Sequence, residues 1–184
     1  MADSPITLNK GGTMAQAALA ATSPEGMLIS PVWKRGVAFI LDMLLITLVV
    51  YFLTKGNFFL YLMDWELITT SQAHFFILTL IVHFAIYWLY FKYTGKSAGR
   101  SLGQRAMRIA IVHDDGTLLG ENHWGRRAIH KLRYVIPGIG QLIGIIDLVR
   151  TWRDSDKRSP IDKANHTVAA VDWSLPQTTR AGLR

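Results

Sequence analysis

Residues 37–53 read VAFILDMLLITLVVYFL, a run of seventeen in which one ionisable side chain, Asp42, interrupts apolar sequence. As a helix it rises about 26 Å, close to the ~30 Å hydrocarbon core of a bilayer. A carboxyl in such a run is costly and is kept for a reason. Trp33 and Tyr51 stand near the two ends as interfacial aromatics do, and Lys34 and Arg35 at the start favour a cytoplasmic N terminus. The run therefore predicts a first transmembrane helix over 33–54, with residues 58–62 (FFLYL) as an aromatic stretch on the outer face.

Residues 73–91 (AHFFILTLIVHFAIYWLYF) predict a second span, about 28 Å long and without the polar face a soluble helix needs. The third apolar segment, 134–149 (YVIPGIGQLIGIIDLV), contains Pro137, Gly138, Gly140, Gly144 and Asp147. Proline removes a helical hydrogen bond, and the Gly140/Gly144 spacing permits close helix packing within or between protomers. Two layouts follow. A re-entrant hairpin turning near Pro137 and Gly138, with arms 124–136 and 139–149, returns the chain to the cytoplasm, whereas a plain third span leaves its C terminus outside. Seven Lys and Arg residues beyond residue 149 favour the cytoplasmic layout.

Residues 105–113 (RAMRIAIVH), ending at Asp114-Asp115-Gly116, read as a strand and turn, and 166–173 (HTVAAVDW) as a second strand. The fold class is thus an all-α integral membrane protein, with two transmembrane helices, a third Gly/Pro-broken segment and a small cytoplasmic β element. Flexible tails are expected at 1–30, with a short helix over 14–21, and at 174–184, flanking a membrane domain at 31–173.

The chain of 184 residues has no cysteine, which excludes disulfides and thiolate metal sites. Its net charge of +7 is unevenly placed. Nine Lys and Arg residues face three acids in 92–133, while the loop 54–72 holds only Lys55 against Asp64 and Glu66. That asymmetry marks a multi-pass cell-membrane protein with anionic headgroups as partner, both termini cytoplasmic, and not a nucleic-acid binder. TGKSAGR (94–100) lacks the nucleotide-loop pattern and reads as a surface turn holding lipid phosphates. Lys96, Arg100, Arg105, Arg108, Arg126 and Arg127 form the corresponding basic set. No catalytic motif appears, so neither an enzyme nor a cofactor is expected. His74 and His83, nine residues apart, make no helical metal pair.

Five residues form the expected polar site: Arg35, Asp42, His83, Asp147 and Asp162. Asp42 either carries a proton or monovalent cation, or has a structural role, bonding a neighbouring helix or serving as a counter-charge for Arg133 or Arg35. Arg35, about 10.5 Å earlier along the helix, is too distant to pair with it directly. It reaches instead for anionic lipid or for a carboxylate such as Asp162 or Asp147. His83 lies mid-span, suited to a proton relay beside Asp42 or to an interhelical hydrogen bond. Asp147 ends a broken arm, as in midplane ion sites, or pairs with Arg150 or Arg153.

These residues resemble the RDD family of small membrane proteins, named for one arginine and two aspartates. Arg35 followed by Asp42 resembles its opening signature, and 94–115 (TGKSAGRSLGQRAMRIAIVHDD) its cytoplasmic motif, with Gln104 where a lysine is usual. Arg126 and Arg127 resemble the arginines that begin its third hydrophobic region. RSPIDKANHTV (158–168) resembles the closing motif, so Asp162, Ala164, Thr167 and Val168 carry over. Ile161 stands where a histidine is common, and Asn165-His166 replaces a single glycine. The resemblance implies ion-linked transport or a transport-accessory role, with cation/proton exchange attributed to some members, and spans this few imply a homo-oligomer. The other reading is a non-catalytic scaffold or regulator of a partner membrane protein.

Overall fold

The computed structural model describes residues 26–183. Helix α1, Val32–Thr54, enters after Pro31 and leaves through left-handed Lys55 and Gly56 into a short helix α2, Asn57–Met63, where an aromatic surface stretch was expected. Helix α3, Ala73–Ala98, ends at left-handed Gly99, whose N–H donates to the Gly95 carbonyl. Residues 94–98, expected as a surface turn, are instead the last turns of this helix. Both α1 and α3 are long and apolar enough to cross a membrane. They run antiparallel, since residues 55–72 join their far ends while Asp42 meets Tyr90 near the other.

Only one stripe of α1 is buried: Ala38, Asp42, Ile46 and Val50, at helical spacing. Ile40, Phe52 and Leu53 stay 62%, 74% and 79% exposed, a surface that needs lipid or another protein against it.

Beyond α3 the chain builds a compact cap. Helix α4, Leu102–Ala106, precedes strand β1, Ile109–His113. The strand expected over 105–113 therefore begins four residues later. Ser101 starts a capping box that winds 102–106 into a helix, and Arg108, at φ 55°, turns the chain into the strand. Helix α5, Glu121–Leu132, continues as a 3₁₀ turn and meets α6, Gly140–Arg153, at a 115° bend over Pro137 and Gly138. Helix α7, Pro160–Ala164, leads into strand β2, Thr167–Val171, and α8, Gln177–Ala181, closes the described chain.

Strands β1 and β2 pair antiparallel, with Ile109 opposite Val171 and His113 opposite Thr167, and Ile29 bridges to Ala170. Both faces of this small sheet are buried. Ala110 and Val112 pack on Met27, Ile29 and Leu175, while Ile109 and Ile111 pack on Ala38, Leu119 and Trp124. Segments preceding α1, following α3 and following α6 thus meet in one sheet, so the chain enters the bent α5–α6 pair from that sheet and returns to it.

The expected flexible tails are packed where described. Met27, Ile29 and Ser30 are buried, as is Leu175, and Leu183 packs against the same cluster. The short helix expected over 14–21 lies outside the described residues.

Two outcomes are expected. In the cysteine-free chain, membrane-impermeant maleimide should reach Asp115→Cys and Thr178→Cys from one side of sealed vesicles and Ser71→Cys from the other; labelling of 115 and 178 from opposite sides would establish a plain third span. His166 holds φ 51° and is exposed. His166→Gly should raise unfolding stability by about 1 kcal/mol, measured by thermal or denaturant unfolding.

Candidate functional site

Asp42 sits on the third turn of α1, 1% exposed. Three donors converge on its carboxyl: Ser101 Oγ at 2.5 Å, Tyr90 Oη at 2.6 Å and the Gly103 N–H at 2.7 Å. Two of these come from the start of α4: the hydroxyl of its N-cap Ser101, and the Gly103 N–H, which lacks an intrahelical partner in the first turn. Ser101 serves both partners, accepting from the Gln104 N–H while donating to Asp42. Gly103 is required by proximity, because a Cβ there would lie 2.0 Å from the Ala38 carbonyl oxygen. Asp42 therefore docks the cap onto α1.

Asp162, 2% exposed, is the second buried carboxylate. Arg127 Nη2 donates to it at 2.8 Å and Arg35 Nη1 at 3.3 Å. Ser159 Oγ adds a bond at 2.7 Å, within the capping box that begins α7. Arg35 also donates to the Ser30 and Ala169 carbonyls, joining α1 to β2. Arg127 also reaches the Thr167 hydroxyl. Burial alone pushes the Asp162 carboxyl up, but Arg127, Arg35 and Ser159 outweigh it and hold it below the usual carboxylate range. Of the two carboxylates foreseen as alternatives to anionic lipid for Arg35, Asp162 is the one it meets.

His83 does not join Asp42. Its Nε2–H donates at 2.9 Å to the Val135 carbonyl, where the helix preceding the bend stops and frees that oxygen. Tyr90, which does bind Asp42, lies about 10.5 Å further along α3. Asp147 clamps the same bend, accepting from Arg133 Nη2 at 2.7 Å and Tyr134 Oη at 2.9 Å, with Arg150 at 3.5 Å. Gly140 packs against the Tyr134 backbone and Gly144 approaches its ring, so this small-residue face is used inside the protomer.

The basic set divides. Arg105, Arg108 and Arg126 are exposed, Lys96 pairs with Glu121 at 2.7 Å, and Arg100 pairs with Asp172 at 3.0 Å. Arg127 departs from it: at 5% exposure it is a buried partner of Asp162, not a surface cation. Sequence reasoning also missed Tyr90, Ser101 and Gly103 as partners of Asp42, and Lys131. The Lys131 ammonium lies 4.0 Å over the Phe91 ring, within electrostatic reach of both Asp42 and Asp162. Beside it, Ser101, Gln104, Trp124 and Arg127 help line a void of about 10 Å³, room for a single water at most. Among the described residues no three His, Asp or Glu side chains stand together as a metal set.

A sequence model of the RDD family matches residues 29–166, more than half of the chain. No curated protein and no solved structure matches it.

Asp162→Asn should leave Arg35 and Arg127 facing each other without their shared anion, lowering unfolding stability by about 3–5 kcal/mol. Because the folded carboxyl lies below its unfolded value, its contribution is complete above the ordinary carboxylate range near pH 4 and is lost as pH falls through the depressed native value. Thermal unfolding across that range should show a loss in the wild type that is smaller in Asp162→Asn, where only the other depressed carboxylates, Asp115 and Asp154, remain.

Proposed function

Because the chain belongs to the RDD family of membrane proteins, we propose that it acts as a non-catalytic membrane scaffold or accessory unit. It holds a basic cap at one membrane face and offers the apolar sides of α1, α3 and α6 to a partner membrane protein or a second copy. The observation that carries this reading is the state of Asp42: 1% exposed, and met by three donors from its own chain. Arg35, His83, Asp147 and Asp162 are likewise engaged in bonds that join elements. The cap faces the cytoplasm in this reading, its exposed arginines set against anionic headgroups.

A second reading, ion-linked transport with proton or monovalent-cation exchange, has one observation in its favour. Lys131 feels the charge of two buried carboxylates without forming an ion pair with either, beside a void about the size of one water. A homo-oligomer is then required to complete a path.

Reconstitution separates the two. The scaffold reading expects wild-type proteoliposomes to move protons under sodium or potassium gradients no faster than empty vesicles. Asp42→Asn should instead place an amide N–H against existing donors, lowering stability by about 2–3 kcal/mol and reducing membrane abundance. Cation-dependent proton flux that disappears in a stably folded Asp42→Asn protein would replace the scaffold with the exchanger.

A further inference from the structure

The cap carries a second polar feature, separate from the buried carboxylates and independent of the scaffold reading. A cavity of about 330 Å³ opens between the end of α3, the residue that turns into β1 and the C-terminal segment. Its lining is Arg100, Arg108, Asp172, Trp173, Arg180 and Leu183. Three guanidiniums against one carboxylate leave two positive charges. Arg100 spends one amino group on Asp172 and keeps its buried Nε without a partner. Arg108 and Arg180 are exposed and enter none of the ion pairs formed among the described residues. Trp173 is 56% exposed, an indole with a free face.

Several elements cooperate to build this concavity. The Asp172 N–H donates to the Arg108 carbonyl, which fixes the cavity floor across the sheet edge. Arg108 is held in the left-handed region at φ 55°. Leu183 abuts Gly99, where a Cβ would lie 2.7 Å from its Cδ2, so the C-terminal segment closes directly over the end of α3. Helix α3, with 26 residues, is about 39 Å long and exceeds the ~30 Å hydrocarbon core, which sets its cap end at headgroup depth or beyond.

We propose that this cavity binds a phosphomonoester dianion through Arg100, Arg108 and Arg180, with the ligand's organic part against Trp173 and Leu183. Two positive charges match a doubly charged phosphoryl group, and guanidinium forks suit its oxygens. The volume lies within the range of small-ligand sites and exceeds what phosphate alone would fill. The same chemistry is presented by a phosphatidate headgroup from the bilayer and by a soluble phosphomonoester.

Binding to the full chain in phosphatidylcholine nanodiscs distinguishes these sources. Phenyl phosphate is titrated by calorimetry. In parallel, native mass spectrometry compares retention of phosphatidate with that of phosphatidylglycerol, whose phosphate is a diester. The soluble source is supported when phenyl phosphate binds, and the lipid source when phosphatidate is retained over phosphatidylglycerol. In either arm Arg108→Gln and Arg180→Gln should each weaken binding about tenfold. Arg126→Gln, an exposed arginine outside the cavity, should leave phenyl phosphate binding and the preference for phosphatidate over phosphatidylglycerol unchanged. Arg180 occupies an exposed helical position, so its replacement removes no buried contact. Failure of both probes to bind, equal weakening by Arg126→Gln, or no effect of the cavity variants would overturn the proposal.

Discussion

A carboxylate removed from water must be met by donors or cations, and here that demand shapes one whole end of the molecule. Asp42 and Asp162 lie in different elements but meet it in the same way. Each engages a serine that starts a short helix, and each adds longer-range partners. Through Asp42, helix α1 takes hold of α4 and α3; through Asp162, α7 takes hold of α1 and α5. The small sheet lies among these ties. Its strands are five residues each, too short to be stable alone. What holds them is coverage on both faces and Arg35, whose guanidinium spans α1, β2 and Asp162.

The bent α5–α6 pair meets a related demand. Breaking a helix at Pro137 leaves carbonyls without partners, which a membrane interior tolerates only when protein supplies donors. His83 supplies one to Val135, and Asp147 draws Arg133 and Tyr134 across the bend. Two polar residues that would suggest an ion path in an otherwise apolar sequence are therefore explained by the bend they hold.

Much of the architecture was legible in the sequence because membrane length and apolarity are blunt signals. Both long helices are of this kind, while Pro137 and Gly138 marked the break and the short run 166–173 marked the second strand. Legible too was the pairing of Arg35 with Asp162, one of two carboxylates considered. The partners of Asp42 were not legible, since Ser101 and Gly103 stand about sixty residues away in sequence that reads as an ordinary polar turn. Arg126 and Arg127 could not be told apart by composition. Their burial depends on which face of α5 meets α3, where Trp124 presses on Gly95, and that face carries Arg127 and not Arg126. The buried stripe of α1 was hidden for the opposite reason: its lipid-facing sides are as apolar as its packed one.

Whether a buried carboxyl carries or binds is decided by what it must give up to exchange its partners. A carrier needs two arrangements of comparable free energy, with each bound species favouring one of them. To release Asp42, the α4 end of the cap would have to lift from α1, breaking three bonds to the carboxyl and separating Gly103 from the Ala38 backbone. Gly103 sits so near α1 that a Cβ there would lie 2.0 Å from the Ala38 carbonyl oxygen, and the adjacent void holds no more than one water. Hydrogen bonds of this density, in a buried setting, favour a single arrangement over two. On the proposed scaffold reading the cap and α1 act as one body, and any exchange of partners belongs at the apolar helix faces and at Arg105, Arg108 and Arg126, which enter no ion pair among the described residues.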